Sequence, residues 1–266
     1  MAFKPNDIYN LYDSPIPYKN LLLYPVHMRD YINFNVFASS LMLEKNSIPD
    51  VKVISMTYLE YMFSINNQEN QLTLNFENLL RLTAKVIEQD RETKEFKVVN
   101  IETFKFGKNK EGKPVFSLNG ILFNNDDFDK LRLLIAEQNM LDLPDERIQK
   151  DVRDKIKEAR DYKNRINGNN PASLEEQIVA LSAYTGWDLE KIYNLTVRKF
   201  IKLIRRINHM IYSQMYLQAS LSGMVTFKDK SVLRGWLVDL DDEEENKDVT
   251  MDLEELESTI KPIGGK

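Results

Sequence analysis

The residues able to do chemistry are few in this chain. His27 and His209 are its entire supply of imidazole, and there is no cysteine. The histidines lie far apart, with neither H-E-x-x-H nor paired-carboxylate spacing, so they read as surface or packing residues. The absence of thiols excludes a disulfide framework, thiolate catalysis and cysteine-held zinc or iron–sulfur sites, and it fits a reducing compartment. The run from Asn124 to Asp129, NNDDFD, resembles a calcium loop superficially. It lacks that loop's glycine and distal glutamate, so a helix cap is the better reading. No G-x-x-x-x-G-K-[ST] or G-x-G-x-x-G phosphate cradle occurs, and Ser182 with Gly186 makes no nucleophile elbow. No catalytic, cofactor-binding or metal site is expected, and the chain reads as a non-enzyme.

One remaining pattern could do recognition chemistry. Residues 173–212 scan as a helix-turn-helix followed by a long third helix, carrying a basic stripe of Arg198, Lys199, Lys202, Arg205 and Arg206. Ser173 and Glu176 have capping-box spacing, Gly186 suits the left-handed residue that ends a helix, and Asp188 and Thr196 are candidate caps for the next two helices. In a DNA reader the second helix presents its N-terminal residues to base edges and phosphates. Those positions hold Asp188 and Glu190, with Lys191 the one early base. Carboxylates there oppose a polyanion whose binding depends on Lys and Arg. The stretch is therefore expected to be a packing or docking unit, with Ile178, Leu181, Leu189, Ile192, Leu195, Phe200 and Ile204 forming its core.

The elements around this unit follow from period and punctuation. The chain has 266 residues, 42% hydrophobic and 29% charged, with nine Gly and nine Pro, which favours helices over a loop-rich β protein. Its start, MAFKPNDIYN, lacks the pattern of a secretory leader, and no run approaches ~18 apolar residues, so a soluble intracellular protein is expected. Residues 1–20 carry Pro5, Pro15 and Pro17 among Tyr9, Tyr12 and Tyr18, which predicts an extended arm anchored by tyrosines. A strand is expected at 21–25, then helices over MRDYINFNVFASSLML, ISMTYLEYMFSI and NFENLLRLTAKVIEQ. Between 95 and 124 the period changes to two, predicting an inserted β-hairpin or small meander. Helices follow in FDKLRLLIAEQN and up to about Asn167, where NGNNPAS marks a boundary. The fold class is thus α+β, mainly α. The expected domains are an α+β part over 21–167, a helical subdomain with a short strand or turn over 173–238, and an acidic flexible tail over 239–266.

LYPVHMRDYINF with MTYLEYMF, FDKLRLLIAEQN with LPDE, TGWDLEKIYNLTVRKFIKLIRRI and SGMVTFKDK, in that order, resemble tail-module proteins of long-tailed bacteriophages of Gram-positive hosts. The resemblance covers most of 20–240 and transfers no catalytic or ligand residue. It implies a baseplate or tail structural protein, or a tail assembly chaperone, working through protein–protein contacts in the host cytoplasm during assembly or in the virion. The implied partners are other tail or baseplate proteins or further copies of the chain, with no membrane and with nucleic acid disfavoured. Tyr9, Tyr12, Tyr18, Trp187 and Trp236 are the candidate partner-binding residues, as rigid aromatic anchors. The competing reading is a nucleic-acid-associated regulator using residues 173–212.

Overall fold

A computed structural model describes residues 6–47, 50–65, 71–90, 93–146, 148, 150–166, 172–223, 227, 235–238 and 240. Two compact units emerge, Met1–Arg147 with Ile178–Lys202, and Ile148–Gln177 with Leu203–Lys266. Among the described residues there are ten α-helices and seven strands in two antiparallel sheets, so the class is α+β and mainly α.

The first unit begins with α1 (Asp7–Tyr12), β1 (Ile16–Tyr18) and β2 (Leu21–Leu23). The expected extended arm is therefore corrected: its described part is a short helix and a paired strand. Asp13, at φ 53°, ends α1, and Lys19, at φ 50°, turns β1 into β2. Pro17 is tolerated because β1 is an edge strand, where a missing N–H breaks no ladder. Next come a 3-10 turn at Met28–Asp30, α2 (Tyr31–Ala38), a second 3-10 turn at Lys45–Ser47, α3 (Val51–Ser55), α4 (Tyr58–Ile65) and α5 (Gln71–Thr83). The single helix expected over NFENLLRLTAKVIEQ is likewise corrected. It starts earlier, and its second half is β3 (Ala84–Gln89), flanked by β2 and by β4 (Phe96–Val99). Lys85, Glu88 and Gln89 favour helix locally, but pairing on both sides and full burial of Val86 outweigh that preference.

The alternating run from Phe96 to Phe106 divides between two sheets. β4 closes the first, and β5 (Phe104–Lys108), β6 (Pro114–Leu118) and β7 (Ile121–Phe123) form the expected small meander as a second. At the crossing, Asn119 Oδ1 accepts from the N–H groups of Glu102 and Thr103, 2.9 and 3.1 Å, and Ile101 is buried. α6 (Asn125–Asn139) follows. It opens with a capping box in which Asn124 Oδ1 accepts from Asp127 N and Asp127 Oδ2 accepts from Asn124 N.

Five phenylalanines from five elements fill the centre of this unit. Phe76 of α5 meets Phe116 edge-on at 5.3 Å and Phe128 of α6 at 4.9 Å, while Phe116 stacks on Phe104 and Phe123. Phe76, Phe116 and Phe128 have no exposed surface. The second unit contains α7 (Lys150–Ile166), whose charged sequence matches expectation. It also holds the start of α8 (Leu174–Thr185), capped by Ser173 and Glu176 as their spacing predicts, with Glu176 N to Ser173 Oγ at 3.2 Å. After α8 come α9 (Leu189–Tyr193) and α10 (Val197–Leu221). The expected acidic tail lies outside the described residues, apart from Leu240.

Truncating Phe76 removes the ring on which three others close. Phe76→Ala should lower the unfolding free energy by about 3–5 kcal/mol in denaturant titrations, whereas Phe96→Ala, on a ring 73% exposed, should cost far less.

Candidate functional site

The corner that scans as a helix-turn-helix is built as its residues dictate. Gly186, at φ 70°, takes the left-handed conformation, and its N–H donates to Ser182 O at 2.8 Å. Asp188 Oδ1 accepts from Lys191 N at 2.7 Å, and Thr196 Oγ1 accepts from Lys199 N at 3.3 Å, so both expected caps form. Ile178, Leu181, Ile192 and Phe200 are buried, and Leu195 is half-buried. Leu189 is a correction to the expected core. It opens the five-residue α9 on its outer side and is 43% exposed.

Within the first unit, this corner is fastened to the loop after β2. His27 and Thr196 form an isolated antiparallel bridge, with Met28 N donating to Leu195 O and Val197 N to Val26 O, both at 2.8 Å. His27 Nδ1 lies 2.7 Å from Asn194 O. The loop is itself held by the end of α6. Gln138 Nε2 donates to Leu23 O at 3.1 Å, and Asn139 Oδ1 accepts from Val26 N at 2.8 Å.

These contacts occupy the groups that a DNA reader would present. The Glu190 carboxylate pairs with Arg29, and the Lys191 ammonium sits 3.8 Å from the centre of the Trp187 ring. Arg198 donates to Glu137 O at 2.8 Å, and Lys199 pairs with Asp13 at 2.6 Å. In the second unit, Arg206 donates to Trp236 O, and His209 Nε2 lies 3.3 Å from Gly235 O.

Four of the five candidate anchors belong to the first unit and Trp236 to the second. Tyr9 is half-buried on α1, and Tyr12 is exposed at its end. Tyr18 is half-buried, with its hydroxyl donating to Asp127 Oδ1 at 2.7 Å. Trp187 is half-buried at the corner, and Trp236 is half exposed. No ring contact among the described residues joins any two of them.

Tyr18 belongs to a buried network instead. Asp127 receives the Tyr18 hydroxyl, the Asn124 N–H and the Lys19 ammonium at 2.5 Å. Burial alone would raise the Asp127 carboxyl, but Lys19 first, then the Asn124 amide and the Tyr18 hydroxyl, hold it below the ordinary value. Burial, reinforced by that carboxylate, pushes the Tyr18 phenol upward. A second buried cluster carries Arg132, whose Nε donates to Leu41 O at 2.7 Å and whose guanidinium lies 3.9 Å from the Tyr58 ring centre. Burial raises the nearby Asp129 carboxyl in spite of Arg132 and Lys45.

The surface that residue-by-residue reading passed over is the distal half of α10. Tyr212 and Met215 are 53% and 56% exposed, and Ile211, Tyr216, Leu217 and Leu221 are exposed as well. Tyr212 and Tyr216 stack at 6.1 Å, forming a short aromatic ladder on the helix, and Phe227 packs edge-on against Tyr216. A signal was present in the sequence: from Ile207 to Gly223 there is no Lys, Arg, Asp or Glu. An exposed helix face without charge is unusual for a solvated surface.

A family model described as the YomV second domain matches residues 163–241, fewer than a third of the chain. That domain is phage-derived, so over this stretch, which includes α8 to α10 and Trp236, the chain is similar to a phage protein. Comparisons with curated proteins and with solved structures gave no match.

The fastening and the Asp127 network each make a prediction. Asn139→Ala leaves Val26 N–H buried without its acceptor and should cost about 1–3 kcal/mol in thermal or denaturant unfolding. Asp127 has a folded-state value below its unfolded one, so its contribution is complete above about pH 4 and is lost as pH falls through the folded value. The stability gap between wild type and Asp127→Asn should therefore be full at neutral pH and shrink on acidification below that point, as read from denaturant midpoints.

Proposed function

We propose that this protein is a non-enzymatic structural or assembly component of a phage tail or baseplate, working through protein–protein contacts. The observation that carries the reading is the exposed, charge-free distal half of α10, with the Tyr212–Tyr216 ladder at its centre. Large aromatic and methionine side chains at the core of a contact, without charges to desolvate, are what protein interfaces use. The similarity of residues 163–241 to a phage-derived domain supports a phage setting. The order of tail-like segments in the sequence speaks for the tail module within it.

The nucleic-acid reading is weaker on the same residues. DNA binding needs cations that can exchange counterions for phosphates. Arg198 and Lys199, which begin the basic stripe, are engaged by Glu137 and Asp13.

Capture of the tagged protein from phage-infected cells, with and without nuclease, tests the proposal. Tail or baseplate proteins should be recovered in amounts that nuclease leaves unchanged. Tyr212→Glu should abolish that recovery while leaving the circular dichroism spectrum intact. Partners recovered only through DNA would overturn the proposal in favour of a regulator.

A further inference from the structure

The four-stranded sheet of the first unit has two edges, and backbone alternation shows that they differ. In an antiparallel sheet, successive residues aim their N–H and C=O groups to opposite sides. Asn20 O accepts from Ile87 N at 2.7 Å and Thr83 O from Tyr24 N at 2.6 Å, so these residues bond between β2 and β3. Leu21 and Leu23 therefore bond to Tyr18 and Ile16 of β1, and Pro17 between them faces outward. Proline has no N–H to offer, which closes that edge to a further strand. At the opposite edge, Val86 and Glu88 bond to Val99 and Lys97, an alternation that Asp90 N to Glu95 O at 2.8 Å continues. Phe96 and Val98 of β4 are left facing outward with both N–H and C=O groups. Neither residue has a hydrogen-bond partner for these groups among the described residues. Their side chains, 73% and 50% exposed, share one face of the strand.

We infer that the β4 edge is the contact through which two copies of this chain pair, antiparallel about a two-fold axis at Lys97. This contact is separate from the distal face of α10 and does not rest on the phage reading. Open backbone donors and acceptors are matched by another extended backbone, and a second copy carries the same pattern. With the axis at Lys97, Phe96 of each copy exchanges hydrogen bonds with the partner's Val98, an aromatic and β-branched pairing that sheets favour. Charge agrees with this register. The Glu95 carboxylate is exposed and has no partner among the described residues, and it falls diagonally across from the partner's Lys97. Each of the two opposed Lys97 ammonium groups is already neutralised by Asp90 of its own chain, at 2.6 Å. An axis at Val98 would instead set Phe96 against the partner's Asn100, whose carbonyl already accepts from Asn119 Nδ2 at 3.1 Å. Pairing at this edge joins two four-stranded sheets into one whose outer strands are both β1. Pro17 closes each of those outer edges, so the assembly stops at two copies.

Sedimentation equilibrium of the full chain, combined with cysteine cross-linking, tests the pairing. The wild type should approach twice the monomer mass as its concentration rises toward about 1 mM. Val98→Pro removes only an outward N–H, so the β3 ladder and the circular dichroism spectrum should persist. It deletes one interchain hydrogen bond per copy and should weaken association by about 10-fold or more. Since the chain has no cysteine, each introduced thiol is unique. Lys97→Cys, on the axis, should cross-link to its counterpart, and Thr93→Cys, in the turn before β4, should not. A wild type that stays monomeric up to that concentration overturns the pairing, and so does a dimer that Val98→Pro leaves unchanged. Thr93→Cys cross-linking in preference to Lys97→Cys overturns it as well. Amide exchange at Phe96 and Val98 that slows only when an extract of infected cells is added would overturn it in favour of a strand from another protein.

Discussion

Two amide side chains at the end of α6 set the geometry on which the rest of the first unit depends. Gln138 and Asn139 are almost fully buried, and they bind the backbone of the segment leaving β2 at Leu23 and Val26. That segment then supplies Val26 O and Met28 N to the chain at Val197 and Leu195. The bridge spans most of the sequence, so closing it carries a loop entropy that two backbone hydrogen bonds, each worth about 0.5–1.5 kcal/mol net, do not offset alone. The surrounding burial of Val26, Met28, Ile192, Val197 and Phe200 makes up the difference. The N-terminus of α10 is thereby fixed in place by side chains on α6, an element with no sequence relation to it.

This arrangement accounts for the corner that resembles a DNA-reading motif. A helix-turn-helix that reads a groove must leave its second helix free on one side. Here α9 is short, with its Glu190 side chain paired to Arg29 and the turn that follows it joined to His27. The local chemistry of the motif, a left-handed glycine and two side-chain caps, is generic to tight helix corners. What such a corner does is decided by what its helices touch, and these helices touch their own unit.

The sequence made much of the local structure legible and little of the long-range structure. Gly186, Asp188, Thr196, Ser173–Glu176 and Asn124–Asp127 were readable because caps and corners involve residues within four positions of each other. The strand β3 was not, since its residues favour helix and its state is fixed by two partner strands distant in sequence. The N-terminal segment failed for a related reason. Pro15 and Pro17 exclude a long helix there, but not a two-turn helix before them or an edge strand containing one of them. Residue type singles out the aromatic anchors, but type alone does not reveal that the Tyr18 hydroxyl donates to Asp127. The charge-free run after Arg206 was visible, but its meaning depended on whether the helix face was covered.

The two halves of α10 show how one helix meets opposite physical demands. In its first turn Val197 and Phe200 are buried, while Arg198 and Lys199 answer Glu137 and Asp13, so charge there serves intramolecular attachment. Beyond Arg206 the sequence abandons charge but not hydrophobicity. Yet Tyr212, Met215, Leu217 and Leu221 are exposed. Ordinary solvated helices place charged residues on the side facing water, which improves solubility and adds i to i+4 pairs. Omitting both over four turns leaves apolar area in water at roughly 25 cal/mol per Å2. Exposed apolar area of that extent is characteristic of a surface that another protein covers. The distal half of α10 is therefore the apolar half of the helix, and its charge is confined to the half that precedes it.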